Sequence, residues 1–202
     1  MKKASIFLIA LLAMAFRTST TSISDQERKS AAELLSKTEA GVFDSLLGMS
    51  DAQLNFKPAA DRWSISDCIK HIAVTEGALW QMTEAGLKQA ANPDKRADIK
   101  ASDEQVVQMI ESRAKKVKTI APLEPQNTPF KSTADALAAF RAAREKLIQF
   151  VGTTNEDLRN HVVTFPAGSY DAYQMILFIA AHSNRHTQQI EEVKADPNFP
   201  KS

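Results

Sequence analysis

The chain has 202 residues, which is enough for one domain with a short appendage but not for two full domains. Its 25 basic and 24 acidic side chains give a formal net charge of +1, so no overall field attracts it to nucleic acid or anionic lipid. A hydrophobic fraction of 44% is typical of a globular protein. The single cysteine, Cys68, excludes an internal disulfide framework and any multi-cysteine zinc site. A metal site would therefore have to use histidines and carboxylates.

The N-terminus has the pattern of an export signal. Two lysines near the start precede an apolar stretch over 6–12, and small residues between 15 and 22 fit a cleavage site. The apolar stretch is shorter than the roughly 18–20 residues that a membrane span needs. We therefore expect a signal peptide over 1–22, export to the periplasm or beyond, and a mature domain over 23–202. A single-pass anchor or a buried helix start is the alternative.

Capping residues and apolar side chains at intervals of three and four predict helices in the rest of the chain. The four long helices are expected over 25–47, 64–90, 132–151 and 170–194. A further helical run from 102 to 117 lies between the second and third, with its basic residues on a solvent-exposed face. The segment 162–165 is too short and isolated to predict a sheet. The pattern predicts an all-α four-helix bundle with an extra helix in the connection between core helices 2 and 3.

The histidines carry the main chemical signal. His182 and His186 lie four residues apart in the last helix, so both imidazoles face the same side, one turn apart. Residues 175–181 are apolar almost all round, which predicts burial, and buried imidazole nitrogens need partners. A shared metal ion would provide one; the alternative is two partly exposed histidines on a helix end. In a bundle, His71 of the second helix can meet this pair, and three imidazoles leave a position for water or substrate.

Three further residues are candidates for supporting this site. Asp67, one turn before the histidine of the second helix, either orients that histidine or only caps the helix. Arg185 either clamps an anionic substrate at the pocket edge or forms a salt bridge with an acidic residue. Gln189, one turn beyond His186, is a candidate to support that ligand from outside. The remaining histidine, His161, is expected to be a loop residue.

Two motifs make the chain resemble the DinB/YfiT-like superfamily of metal-binding four-helix-bundle proteins. The first is Arg62-Trp63-Ser64-Ile65 leading to His71-Ile72, and the second is the segment AHSNRHTQQIEEV over 181–193. Segments 140–144 and 196–200 are also similar, so the resemblance covers about residues 25–200. In that superfamily, one histidine of the second core helix and two of the last bind a divalent metal. The resemblance places these roles on His71, His182 and His186, and implies nickel, zinc, iron or manganese without choosing among them.

The resemblance does not fix a reaction. Characterised relatives include thiol-dependent S-transferases and isomerases, and many members are dimers. The chain is therefore expected to be either a metal-dependent hydrolase or thiol S-transferase, or a non-catalytic metal-binding or stress-response bundle. Export argues against thiol transfer, since the small-thiol pool is cytosolic. A small-molecule ligand and a homodimer fit this picture. Nucleic acid is not an expected partner, and no stable membrane span is expected once the signal peptide is removed.

Overall fold

The structure is a computed structural model that describes residues 23–201, so the predicted signal peptide at 1–22 lies outside the described residues. Helices and strands follow in the order α1 (Asp25–Asp44), α2 (Asp51–Asn55), α3 (Ile65–Leu87), α4 (Asp103–Glu111), α5 (Thr133–Thr153), β1 (Val162–Phe165), β2 (Gly168–Asp171) and α6 (Ala172–Lys194). Short 3-10 turns occupy Pro93–Asp98, Ala121–Leu123, Pro125–Asn127 and Leu158–Asn160. None of the described helices is long and apolar enough to cross a membrane.

The long helices begin where the sequence predicts. At the starts of α1, α3 and α5 a serine side chain accepts a hydrogen bond from the backbone N–H three residues later. The acidic side chain of that later residue accepts a hydrogen bond from the backbone N–H of the serine. This reciprocal capping satisfies two N–H groups that would otherwise lack a partner at the helix start. The serines are Ser24, Ser64 and Ser132. The helix ends fall within three residues of the predicted ones.

Four helices form the core bundle, and α4 packs on its outside. The Tyr173 hydroxyl donates to the Glu27 carbonyl at 2.9 Å, which shows that α1 and α6 start at the same end. Ser66 and Thr133 are hydrogen-bonded at 2.8 Å, so α3 and α5 both start at the other end. Helix α4 lies along α6, to which Asn184 anchors its last turn. The predicted bundle with an extra helix in the second connection is confirmed.

The structure corrects the prediction that 162–165 forms no sheet. Strands β1 and β2 pair as an antiparallel hairpin, joined by a two-residue turn at 166–167. Gly168 follows the turn with a φ of 134°, a backbone conformation that disfavours other residues. Tertiary contacts stabilise this short hairpin. The Asn92 amide hydrogen-bonds both the N–H and the carbonyl of Val162, and a side chain at Gly86 would come within 2.9 Å of Val163. Helix α6 consequently begins at Ala172 rather than near residue 170.

The second correction concerns the basic run after α4. The predicted helix to residue 117 ends at Glu111, and residues 112–120, here called the basic loop, have no regular structure. Val117, the last residue of the predicted helix, is 78% exposed. Contacts with α6 explain the change. Arg113 hydrogen-bonds Glu192, and Arg185 binds the Lys115 carbonyl, so the chain crosses α6 instead of continuing along it.

A buried arginine joins the four core helices. Arg144 of α5 is fully buried, and its guanidinium binds both carboxylate oxygens of Glu76 in α3 at 2.8 and 2.6 Å. It also donates to the Leu35 carbonyl and the Thr38 hydroxyl of α1, and to the Ser183 hydroxyl of α6. These five residues are called the Arg144 node. Every N–H direction of the guanidinium has an acceptor, so the charge is compensated inside the core.

Candidate metal centre

The three predicted histidines converge between α3 and α6. These helices run antiparallel, so the second turn of α3, which carries His71, lies beside the middle of α6. One nitrogen from each of His71, His182 and His186 lies within 4.8 Å of the other two. The Nε2 atoms of His182 and His186 are 3.2 Å apart. The convergence expected from the sequence is therefore present in the fold.

Hydrogen bonds orient His71 with Nε2 toward the centre. Its Nδ1 lies 2.7 Å from the Leu123 carbonyl and 3.3 Å from the Thr75 hydroxyl. A carbonyl oxygen only accepts, so Nδ1 carries the proton in this contact, and in the neutral ring Nε2 keeps its lone pair. This is the arrangement by which outer hydrogen bonds fix the tautomer of a metal-binding histidine.

Gln189 orients His186 in the same way. Its Oε1 lies 3.0 Å from His186 Nδ1 and accepts a second hydrogen bond from Arg113 at 3.3 Å. Because a guanidinium can only donate, the shared atom must be the amide oxygen, and His186 Nδ1 must be its other donor. The Nε2 lone pair of His186 therefore faces the other two histidines. Arg113 in turn binds both carboxylate oxygens of Glu192 at 2.9 and 2.7 Å.

Burial keeps the three imidazoles neutral. His71 and His186 are 3% and 6% exposed, and His182 is partly buried. Burial is the main cause that lowers the pKa of each histidine, and the positive charge that each would place on its neighbours lowers the pKa of His182 and His186 further. The pKa of His182 falls to about 3. All three rings are thus in the uncharged form that a metal ion requires.

Trp63 covers this cluster. Its ring lies 4.8 Å from the His71 ring and is stacked on the His186 ring at 5.8 Å with an interplanar angle of 23°. Trp63 lies just before α3, where a large apolar residue can pack against the start of the helix. The structure shows that this packing is directed against the histidines, which excludes water from one side of the cluster.

The other predicted supporting residues have different roles. The Asp67 carboxylate caps α3 through the Ser64 N–H and pairs with Lys57 at 2.9 Å, while His71 takes its Nδ1 acceptor from Leu123. The structure shows the capping contact of Asp67, and no hydrogen bond between Asp67 and His71 occurs among the described residues. Arg185 donates to the carbonyls of Lys115 and Ile110 rather than to a carboxylate, so it anchors the basic loop. Gln189 lies where the sequence placed it.

Two residues outside the cluster complete the comparison with the sequence. His161 follows a 3-10 turn and is 8% exposed, with its ring nitrogens 2.7 Å from the Asp157 carbonyl and 3.2 Å from the Gln89 carbonyl. It lies outside the three-histidine group. Cys68 is fully buried, and burial raises the pKa of its thiol, so it behaves as a core residue.

The donor set fits a divalent transition metal. Two nitrogens at about 2.0–2.1 Å from a tetrahedral ion are about 3.3 Å apart, close to the 3.2 Å between His182 and His186. Among residues 23–201, no carboxylate or thiol joins the group. Three neutral imidazoles suit zinc, nickel or iron and leave a coordination position for a small molecule.

The best-formed clefts lie elsewhere on the described part of the chain. Two clefts of about 570 and 400 Å³ share the residues Glu27, Asp103 and Glu104. Neither includes one of the three histidines. In the first cleft, Arg159 pairs with Glu27, Asp103 and Asp171, which ties α1 and α4 to the start of α6. This group is about 16 Å from the histidines along α6, given a rise of about 1.5 Å per residue.

Four core helices around three inward-facing imidazoles define an all-α bundle with a three-histidine centre. The family model of the DinB superfamily matches residues 34–190 of the sequence, and the chain belongs to this superfamily. The chain is 28% identical over 153 residues to YuaE of Bacillus subtilis (strain 168), described as an uncharacterized protein; the match covers 75% of this chain and 90% of YuaE. The fold is similar to that of YfiT from Bacillus subtilis, with a TM-score of 0.59, 14% identity, and coverage of 89% of this chain and 93% of YfiT. YfiT is described as "a probable metal-dependent hydrolase with an unusual four-helix bundle topology".

Proposed function

We propose that the chain binds one divalent metal ion through His71, His182 and His186 and acts as a metal-dependent hydrolase. The observation that carries this proposal is the convergence of three neutral imidazoles, two of which have Nδ1 bound outward so that Nε2 faces the centre. The description of YfiT as "a probable metal-dependent hydrolase" supports it, since the two folds are similar.

A divalent ion held by three histidines lowers the pKa of a bound water or thiol and so supplies a nucleophile at neutral pH. The chain's own residues narrow the chemistry further. Among residues 23–201 no carboxylate joins the three-histidine group, so the group itself contains no carboxylate that could act as a general base. The nucleophile must therefore be one that ionises without such a base. Water satisfies this condition in any compartment, whereas thiol transfer also needs a supply of a small thiol.

The surroundings of the cluster indicate where a substrate would approach. Trp63 covers the rings of His71 and His186, and the turn that contains Leu123 closes over His71. His182 is the only partly exposed member of the three, and its outer face has no comparable aromatic cover among the described residues. We infer that substrate reaches the site from the side of His182.

One observation favours a second candidate, a non-catalytic metal-binding bundle. Two clefts, of about 570 and 400 Å³, lie away from the three histidines, and a substrate normally requires a concave site. On this alternative the ion stabilises the fold without turning over a substrate.

The two candidates are distinguished by turnover in the metal-loaded protein. Carboxylic esters, amides and phosphoesters are assayed, together with a small thiol plus an electrophile as a separate test of thiol transfer. We expect hydrolysis by the wild type, loss of hydrolysis in His182→Ala, and full activity in His161→Ala, which removes a buried histidine outside the cluster. Metal occupancy without any turnover would favour the non-catalytic bundle. Thiol transfer without hydrolysis would replace the hydrolase proposal with an S-transferase.

We also propose that the chain is exported by its N-terminal segment, 1–22. The support is the sequence pattern alone: two lysines, an apolar stretch and small residues. Expression with cell fractionation and mass determination of the mature N-terminus tests it. Export predicts a product that begins between residues 16 and 23 outside the cytosol, and an uncleaved cytosolic product would contradict it.

A further inference from the structure

The basic loop concentrates positive charge in a chain that is otherwise nearly neutral. Between residues 112 and 123 there are four basic side chains and no acidic one, whereas the whole chain has a net charge of +1. Arg113 is engaged by Glu192. Lys115, Lys116 and Lys118 are exposed and form no ion pair with a carboxylate among the described residues. The loop therefore presents three uncompensated ammonium groups to solvent.

Two aliphatic side chains project from the same loop. Val117 is 78% exposed and Ile120 is 65% exposed, two of the four large apolar side chains that are most exposed in the described structure. The nearest acidic residues in the sequence are occupied, since Glu111 accepts from Asn184 and Glu124 accepts from Gln126. The exposed surface of the loop is thus both cationic and apolar.

The base of the loop is fixed, so these side chains are held outward. The Arg113 guanidinium is hydrogen-bonded to Glu192 and Gln189, and Arg185 holds the Lys115 carbonyl at 2.7 Å. After the loop, the Leu123 carbonyl lies 2.7 Å from His71 Nδ1 of α3. With both ends attached to the bundle, the apolar side chains between them have no core to enter.

We propose that the basic loop is a docking surface for an anionic lipid bilayer. Lysines near such a surface each gain binding energy from its negative potential, and adjacent aliphatic side chains gain by entering the headgroup boundary. The loop suits nucleic acid poorly because it has no aromatic side chain on which bases stack. A protein partner is less well matched, because a stable interface buries about 1,200 Å² or more in complementary shape, whereas a convex loop with two aliphatic residues offers little such area.

Docking through this loop would bring the three-histidine centre close to the membrane. The turn that follows the loop places the Leu123 carbonyl against His71, and Arg185, which holds the loop, lies between His182 and His186 in α6. The inference does not depend on metal binding or hydrolysis. It rests on the charge, exposure and anchoring of the loop alone.

The test compares partition of the purified full chain onto vesicles of phosphatidylcholine alone and vesicles containing 30% phosphatidylglycerol. The readout is the ratio of the two partition coefficients, so that binding through the apolar N-terminal segment contributes to both. We expect a high ratio for the wild type that falls as salt rises. Replacing Lys115, Lys116 and Lys118 by glutamine should lower the ratio about 100-fold, since each lysine contributes roughly a factor of five.

A matched control removes the same charge elsewhere. Lys29→Gln, Lys37→Gln and Lys146→Gln alter three exposed lysines outside the loop and should leave the ratio within about two-fold of the wild type. For the apolar contribution, Val117→Asn with Ile120→Asn should weaken partition onto the anionic vesicles, whereas Leu47→Asn, at a residue that is 73% exposed, should not. Circular dichroism confirms that each variant is folded.

Three results would overturn the proposal. The first is a wild-type ratio near one at low salt. The second is an equal loss in the loop variant and in the control variant, which would show that overall charge is responsible. The third is an unchanged ratio in the loop variant, which would assign any lipid binding to another part of the chain. Because metal-free protein suffices for this experiment, its outcome is independent of the hydrolase assay.

Discussion

The Arg144 node and the three-histidine centre are both polar groups buried in the bundle, but only the node contains a pair of opposite charges. In the node, each N–H direction of the guanidinium reaches an acceptor, and the carboxylate of Glu76 balances the charge. In the histidine centre, the Nε2 atoms of His182 and His186 lie 3.2 Å apart, a distance at which they can share a hydrogen bond or a metal ion. The two sites lie within one turn of α6, since Ser183 of the node follows His182.

This difference separates a structural polar site from a binding site. A buried ion pair whose partners are all present holds helices in register and needs nothing from outside. A cluster of neutral imidazoles whose nitrogens converge on one point can also bind a cation between them. The comparison therefore predicts opposite responses of the two regions to mutation and to metal.

The largest expected effect is at the node. Arg144→Met leaves the Glu76 carboxylate buried without its partner and should destabilise the protein by about 3–5 kcal/mol, with or without metal. The double variant Arg144→Met, Glu76→Leu should recover most of this loss, because Ser183 and Thr38 keep other acceptors, the carbonyls of Ala180 and Leu34. Urea unfolding measures both. Equal destabilisation of the single and double variants would show that the node is not a self-contained ion pair.

The next largest effect is stabilisation by metal. A ligand at 100 times its dissociation constant adds about 2.7 kcal/mol if it binds only the folded state. For a domain of this size, that raises Tm by about 5–10 °C. We expect this shift for the wild type on adding zinc or nickel to chelator-treated protein, and none for His182→Ala. An equal shift in both would place metal binding elsewhere.

A smaller effect separates Gln189 from Asp67. Gln189→Leu removes the acceptor for His186 Nδ1 and should weaken metal affinity about 10- to 100-fold, as loss of such outer partners typically does. Asp67→Asn is the matched control. It alters a carboxylate one turn from His71 that caps the helix and pairs with Lys57, so it should change affinity less than two-fold while lowering stability by about 1 kcal/mol. Competition with a chromophoric chelator measures both. The reverse order would restore Asp67 as the residue that orients His71.

The smallest predicted effect is the pH dependence of the metal-free protein. Burial lowers the pKa of His186 well below its ordinary value of 6.5. At pH values below 6.5 but above the folded pKa, the histidine binds a proton in the unfolded chain but not in the folded chain. The free energy of unfolding therefore falls as the pH falls below about 6.5. For a histidine whose folded pKa is about 3, as for His182, the loss from pH 6.5 to 5.0 is about 2 kcal/mol, or a Tm lower by about 4–8 °C. Scanning calorimetry of His71→Leu, His186→Leu should show a weaker dependence, and an unchanged slope would exclude the histidines as its cause.

Much of the fold could be predicted because local signals were sufficient. Serine caps with an acidic residue three positions later fix the starts of α1, α3 and α5, and apolar periodicity gives their buried faces. The hairpin and the basic loop could not be predicted. The hairpin depends on Asn92 and Gly86, more than 70 positions from the strands they support, and the loop depends on contacts with α6.

The candidate metal centre likewise combines features that the sequence predicts with features that it does not. Spacing and apolar context identified His182 and His186, and the helical stripe pointed to Gln189. The acceptor for His71 is a backbone carbonyl, that of Leu123, which no side-chain pattern encodes. Thr75, one turn after His71, and the role of Trp63 as cover were missed, although the four-residue spacing of His71 and Thr75 is a signal that could have been used.

The central claim is that the three histidines form one metal site, and the most direct test is elemental analysis of the protein purified without a histidine tag. The wild type, the double variant His71→Ala, His182→Ala and the control His161→Ala are compared after reconstitution with several divalent ions. We expect one ion per chain in the wild type and in His161→Ala, and none in the double variant. A wild type without metal under all these conditions, or a double variant that keeps the metal, would contradict a metal site formed by the three histidines.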